Sequence, residues 1–168
     1  MVSSAGDGMF LTAFPLLAAI LTRDPVLIAG VTIASRLPWL MFSLFTGALA
    51  DRMDRRKLMI GADLIRLVIV GSLGIAILTD VVNIWMLYLS AFLLGSCETL
   101  HVNAAQGLIP AIVKPEDLLE ANARFASGQI VAAQFIGPPL GVAMFNVSIS
   151  LPFLADAATF AGSAALVA

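Results

Sequence analysis

Long apolar runs, cut at intervals by charge, dominate the pattern along the chain. Residues 26–50 are interrupted only by Arg36, and residues 58–79 only by Asp63 and Arg66. Residues 84–107 carry Glu98 and His101, and residues 124–145 hold a Gly-Pro-Pro-Leu-Gly element. Two further runs occupy the ends, 4–21 and 151–168, each with one aspartate. At about 1.5 Å per residue, about 20 apolar residues cross a hydrocarbon layer of about 30 Å. The runs do not alternate as strands of a membrane barrel do over about 10 residues. The pattern therefore predicts an all-α membrane protein with six transmembrane helices. Residues 22–25 and 79–83 are short links that turn neighbouring helices antiparallel. Residues 108–122 form a longer connection, predicted to hold a short amphipathic helix on the membrane surface, with Pro115 in its first turn and acids after it.

Composition removes the alternatives. Of 168 residues, 60% are hydrophobic and 12% charged, and the mean hydropathy is +1.00. A soluble domain is about 45–50% apolar and about 25% charged, and a chain this short cannot hide the excess. The net charge of −2 gives no general attraction for nucleic acid. The single cysteine, Cys97, excludes a disulfide framework. Glu98 and His101 stand in a Glu-x-x-His spacing, but one histidine in the whole chain leaves a di-iron site short of ligands. No cofactor or nucleotide fingerprint occurs, so neither a cofactor nor an enzyme is expected.

Orientation follows from the basic residues. Arg52, Arg55, Arg56 and Lys57 follow the second run, and Lys114 and Arg124 flank the later connection, whereas the opposite side has Arg23. The two basic loops and the amino terminus are therefore expected in the cytoplasm, with the chain in the cell membrane. The carboxyl end stops inside an apolar run, which reads as a fragment or truncated product of a longer protein.

The charges also repeat. Asp7 and Glu98 are 91 residues apart, and Ala62-Asp63 and Ala155-Asp156 are 93 apart. Two inverted three-helix repeats are common in secondary transporters. An ionised side chain at the bilayer centre costs at least about 2.5–3.5 kcal/mol, so such groups face the bundle interior and find partners. Asp63 and Arg66, three apart on one helical face, are expected to pair as a structural ion pair, with Asp156 in an equivalent network. Asp7, Arg36, Glu98 and His101 are the substrate or proton candidates. For Glu98 two roles stay open: a proton carrier, or a hydrogen-bond partner of His101 or Arg36. Trp39, Trp85 and Tyr88 read as interface or packing aromatics.

The stretch from Gly47 through Asp51, Arg52, Asp54, Arg55 and Arg56 to Lys57 resembles the signature loop of the major facilitator superfamily, Gly-x-x-x-Asp-Arg-x-Gly-Arg-Arg/Lys, with Asp54 at the second glycine. Ser4-Ala-Gly-Asp-Gly-Met, Asp63-x-x-Arg66 and Gly137-Pro138-Pro139-Leu140-Gly141 are similar to the branch that holds enterobactin and multidrug exporters. Arg124, Ala133 and Val142 stand at the flanking glycines of the last motif. The resemblance implies the amino-terminal half of a twelve-helix transporter. It would move a small molecule, a drug or siderophore, in exchange for protons, and need a carboxy-terminal six-helix half or an equivalent chain. Gly47 is expected to let helices approach closely, Asp51 to latch one conformation, and the Gly137, Pro138 and Gly141 kink to act in gating. The alternative is a non-transporting membrane scaffold or assembly partner.

Overall fold

The structure, a computed structural model, describes residues 2–167, without the side chains of residues 2, 48, 50, 51, 111 and 112. The described residues are helical almost throughout. Their helices are α1 (Val2–Leu21), α2 (Pro25–Arg52), α3 (Arg55–Leu78), α4 (Ile84–Ile112), α5 (Leu118–Ile130), α6 (Gly137–Val147) and α7 (Leu151–Val167). A 3-10 turn (Pro115–Asp117) leads into α5, and a π-helical stretch (Val131–Ile136) joins α5 to α6, so that Pro115–Val147 is one rod of 33 residues.

Short polar residues start these helices. Asp24 Oδ1 accepts from the Val26 amide at 2.8 Å, with Pro25 in the first position. Asp54 Oδ1 accepts from the amides of Arg56 and Lys57 at 3.0 and 3.3 Å. Asn83 does the same for Met86 at 3.0 Å. Each satisfies first-turn donors that have no partner within the helix. Asp54, at the place of a glycine in the signature loop, is thus the cap of α3. The turn before α4 needs a left-handed residue, and Asp80 supplies it with φ +55.

The connection 108–122 differs from its expectation. Helix α4 runs on through Pro110 to Ile112, and only Val113 and Lys114 separate it from the next helical turn. The acidic segment after Pro115 is no separate surface helix: it opens the 33-residue rod. Lys114 and Pro115 force the break, since a residue before proline avoids helical dihedrals, while Pro115 itself suits a first turn.

Helix α1 packs against α6 and α7, α2 against α4, and α3 against both α4 and α7. Phe14, Leu17, Val31, Val70, Leu73, Leu87, Phe153 and Phe160 form the main core. Leu58, Met59, Ala104 and Ala105 form a smaller one near the basic turn. Outward faces are as apolar as the core: on α2, Leu40 is 84% and Leu44 85% exposed. Water would penalise that surface by about 25 cal/mol per Å², whereas hydrocarbon does not. Four helical segments are long and apolar enough to cross a membrane: Ser3–Leu21, Pro25–Gly47, Arg55–Leu78 and Pro115–Val147. Helix α4 has the length, but Glu98, His101 and Asn103 dilute its apolar character; α7, at 17 residues, is shorter.

Candidate functional site

The helices enclose a cavity of about 620 Å³. Its wall draws on α1 (Ser4, Asp7), α2 (Arg36, Trp39), α3 (Arg66), α4 (Glu98, His101), the rod (Gln129, Gln134) and α7 (Asp156, Phe160). Ligand pockets typically have about 300–1,000 Å³. Asp63 and Arg66 lie eight and eleven residues into α3, about 12–17 Å from its start at 1.5 Å per residue, near the middle of a 30 Å core.

A chain of charges crosses three helices within this wall, with Asp63 just behind it. Arg66 Nη2 forms an ion pair with Asp7 Oδ1 of α1, and its Nη1 donates to Ser3 Oγ at 3.5 Å. The guanidinium lies over the Phe160 ring, 4.1 Å from its centroid, in cation–π geometry. Asp63 Oδ1 is 3.8 Å from Arg66 Nη1 and 3.0 Å from His101 Nδ1 of α4. The His101 contact is one of distance only, because neither atom meets hydrogen-bond alignment. The expected Asp63–Arg66 pair is therefore a loose one. Each residue has a nearer partner on another helix, since side chains three apart on a helix cannot approach as closely as groups on facing helices.

Glu98 makes neither of the bonds considered for it: no ion pair or hydrogen bond joins it to His101 or Arg36 among the described residues. It stands instead beside Trp39, whose indole N–H is shielded from solvent and faces the Glu98 carboxylate without meeting hydrogen-bond alignment. Trp39, read from sequence as a packing or interface aromatic, is thus part of the cavity wall. Its i+3 spacing from Arg36 was the signal that would have placed it there. Asp156 is buried and accepts from Thr159 Oγ1 at 3.2 Å. A Cβ on Gly6 would collide with that carboxylate, so the glycine clears its space.

The signature loop sits at one end of the bundle. Arg55 Nη1 donates to Gly107 O of α4, and Arg56 Nε donates to Val167 O of α7. Cations there complement the negative ends of two helix dipoles. The side chain of Asp51 lies outside the described residues, and Arg52 is exposed. Gly47 does not mediate a close approach, for nothing lies within 4 Å of where its Cβ would be. Close approach occurs elsewhere. A Cβ on Gly137 would be 2.7 Å from Ala5 O and from Gly8 C, and one on Gly141 2.9 Å from Met9 O. Pro138, after Gly137, opens α6 where its missing N–H costs least. Arg124 is exposed and pairs with Glu120 at 2.5 Å.

The sequence profile described as Major Facilitator Superfamily matches residues 1–168. Macrolide efflux protein A of Streptococcus pyogenes is 26% identical over 126 residues, covering 75% of this chain and 31% of that protein. Macrolide efflux protein A of Enterococcus faecalis is 26% identical over 121 residues, 72% of this chain and 37% of its own. An uncharacterized MFS-type transporter of Mycobacterium bovis is 29% identical over 143 residues, 82% and 31% of the two chains. The chain spans about a third of the length of these curated relatives. No solved structure matches it significantly.

Proposed function

The chain belongs to the major facilitator superfamily, and from that premise we propose that it forms the six-helix amino-terminal half of a proton-coupled exporter of small amphipathic molecules. The six rods, two inverted three-helix repeats in this reading, supply one wall of a central cavity, and a second six-helix unit supplies the other. The observation that carries the proposal is the chain Asp7–Arg66–Asp63–His101, buried at Asp63 and Arg66, in the wall of a cavity of ligand size. A proton arriving on Asp7 or Asp63 weakens its hold on Arg66 or His101. Loss of such a contact between α1, α3 and α4 favours a different packing of those helices, and so couples protonation to access. Arg55 and Arg56, with Asp51 and Arg52, form the latch at the cytoplasmic end in this reading, because they tie α4 and α7 to the start of α3. The amino terminus faces the cytoplasm and the membrane is the cell membrane, on the placement of basic residues. The relatives named for macrolide efflux make macrolides the first substrates to test.

The test is macrolide-driven proton movement in proteoliposomes that contain the full-length transporter, followed with an internal pH dye. The expected result is proton flux that starts on macrolide addition and is lost in Asp7→Asn and Asp63→Asn. Macrolide flux indifferent to a pH gradient overturns proton coupling, and no flux for any amphipathic substrate overturns the exporter reading.

A further inference from the structure

The polar groups of the cavity fall into two sets. Asp7, Arg66, Asp63 and His101 answer one another, and Arg66 in addition has Ser3 and Phe160. At the α2–α4 corner the situation is opposite. Arg36 lines the cavity with no carboxylate within ion-pair distance among the described residues, the Trp39 N–H is shielded yet unbonded, and Glu98 has no cation in contact.

The backbone explains why these three converge. Gly95 brings α4 against α2: a Cβ there would lie 3.2 Å from both Pro38 Cγ and Ser35 C. Arg36 and Trp39 follow on adjacent turns of α2, about 4.5 Å apart along the axis, and Glu98 is one turn beyond Gly95 on α4. Tyr88 Oη, donating to Leu27 O at 2.8 Å, and Asn103 Nδ2, donating to Thr46 Oγ1 at 2.8 Å, fix the same helix pair above and below. The corner is therefore held from both sides; its indole N–H is unsatisfied where an unmade bond is expensive, and Arg36 beside it is exposed to the space it borders.

We infer that Arg36, Trp39 and Glu98 form the recognition corner of the cavity, and that its ligand is an oxygen-rich amphiphile bearing an amine. Two donors, the guanidinium and the indole N–H, ask for oxygen acceptors, and the carboxylate asks for an ammonium or hydroxyl donor one helical turn away. The remaining wall, with Phe10, Leu11, Phe125 and Phe160, takes the apolar part. The inference rests on the transporter reading of the cavity and divides its charges: the Asp7–His101 chain moves protons, and this corner reads the substrate.

Trp39 is its own reporter. The chain has 2 tryptophans, and the other, Trp85, is exposed, so Trp85→Phe leaves Trp39 alone. In lipid nanodiscs the full-length Trp85→Phe protein is titrated with erythromycin, an amine-bearing macrolide, and with tetraphenylphosphonium, a cation without oxygen. Erythromycin is expected to change Trp39 emission saturably, with Arg36→Gln and Glu98→Gln each weakening it about tenfold. Lys114→Gln, outside the cavity, leaves it unchanged, and near-identical gel-filtration profiles show that the variants are folded. Erythromycin binding that ignores both substitutions overturns the corner and leaves the exporter standing. Absence of erythromycin binding, or tighter binding of tetraphenylphosphonium, overturns the ligand class. Only the absence of flux for any amphipathic substrate overturns the exporter reading itself.

Discussion

Replacing Arg66 by methionine tests the charge chain most directly. The side chain is 3% exposed, paired with Asp7, 3.8 Å from Asp63 and stacked on Phe160. Methionine keeps most of the volume, so little of the loss is a cavity effect. It removes the only cation beside Asp7 among the described residues and leaves Asp63 with His101 alone. Breaking a buried pair from one side costs about 3–5 kcal/mol, because the partner charge stays behind. At about 1.4 kcal/mol per tenfold, the ratio of folded to unfolded protein falls by a factor of about 10²–10⁴. Asp7→Asn costs less, since Arg66 retains Asp63, Ser3 and Phe160. The double variant Asp7→Asn/Arg66→Met recovers at least about 2 kcal/mol of the Arg66→Met loss, because no orphan carboxylate remains on α1. The assay is reversible unfolding in mixed micelles by SDS titration, read by maleimide-dye labelling of the single cysteine, Cys97, in α4. An Arg66→Met protein within about 0.5 kcal/mol of the parent would refute the reasoning. So would a double variant no more stable than the single one.

Glycines divide sharply. Gly137→Val drives a side chain into Ala5 O and the Gly8 backbone and is expected to cost at least about 1–3 kcal/mol, whereas Gly47→Ala, with open space around it, is neutral or stabilising by up to about 1 kcal/mol; the same SDS titration reads both. Asp54→Ala removes the cap of α3 and costs about 0.5–2 kcal/mol, while Asp54→Asn retains the acceptor and most of the stability in the same measurement. In a Cys97→Ser background, cysteines at Arg52 and Asp80 are expected to react with membrane-impermeant maleimide from opposite sides, Asp80→Cys from outside the cell; labelling of both from one side would refute the helical hairpin across the bilayer.

Helix ends were the most legible part of the chain, because the residues that start helices carry a local chemistry. Asp24-Pro25, Asp54 and Asn83 are caps that any chain context would use, and they stand within three residues of the charges that divide the apolar runs. The end of the run 84–107 was not legible: the helix continues through Pro110 to Ile112, because the ring is accommodated at the cost of one hydrogen bond. Partners across helices were not legible. Spacing put Asp63 beside Arg66, but distance to Asp7 and His101 depends on how α1 and α4 lean on α3, which no interval within one helix encodes. Trp39 was missed for a similar reason. An indole on an apolar helix does not by itself distinguish lipid from cavity, and its place one turn from Arg36 was the single hint that it faces inward.

The wide turns at Val131–Ile136 make the 33-residue rod two mechanical pieces. Pro138 and Pro139 donate no main-chain hydrogen bonds, so the ladder is thinnest where α6 begins. Below that joint the rod is riveted to the first helix through Gly137 and Gly141, which admit no side chain between the backbones. Above it Phe125 and Gln129 line the cavity, and Phe125 packs on the small core of Leu58, Met59, Ala104 and Ala105. The lower piece and the joint, where Ala133 O faces Gly8, thus share main-chain contact with the first helix, while the upper piece is held by side chains.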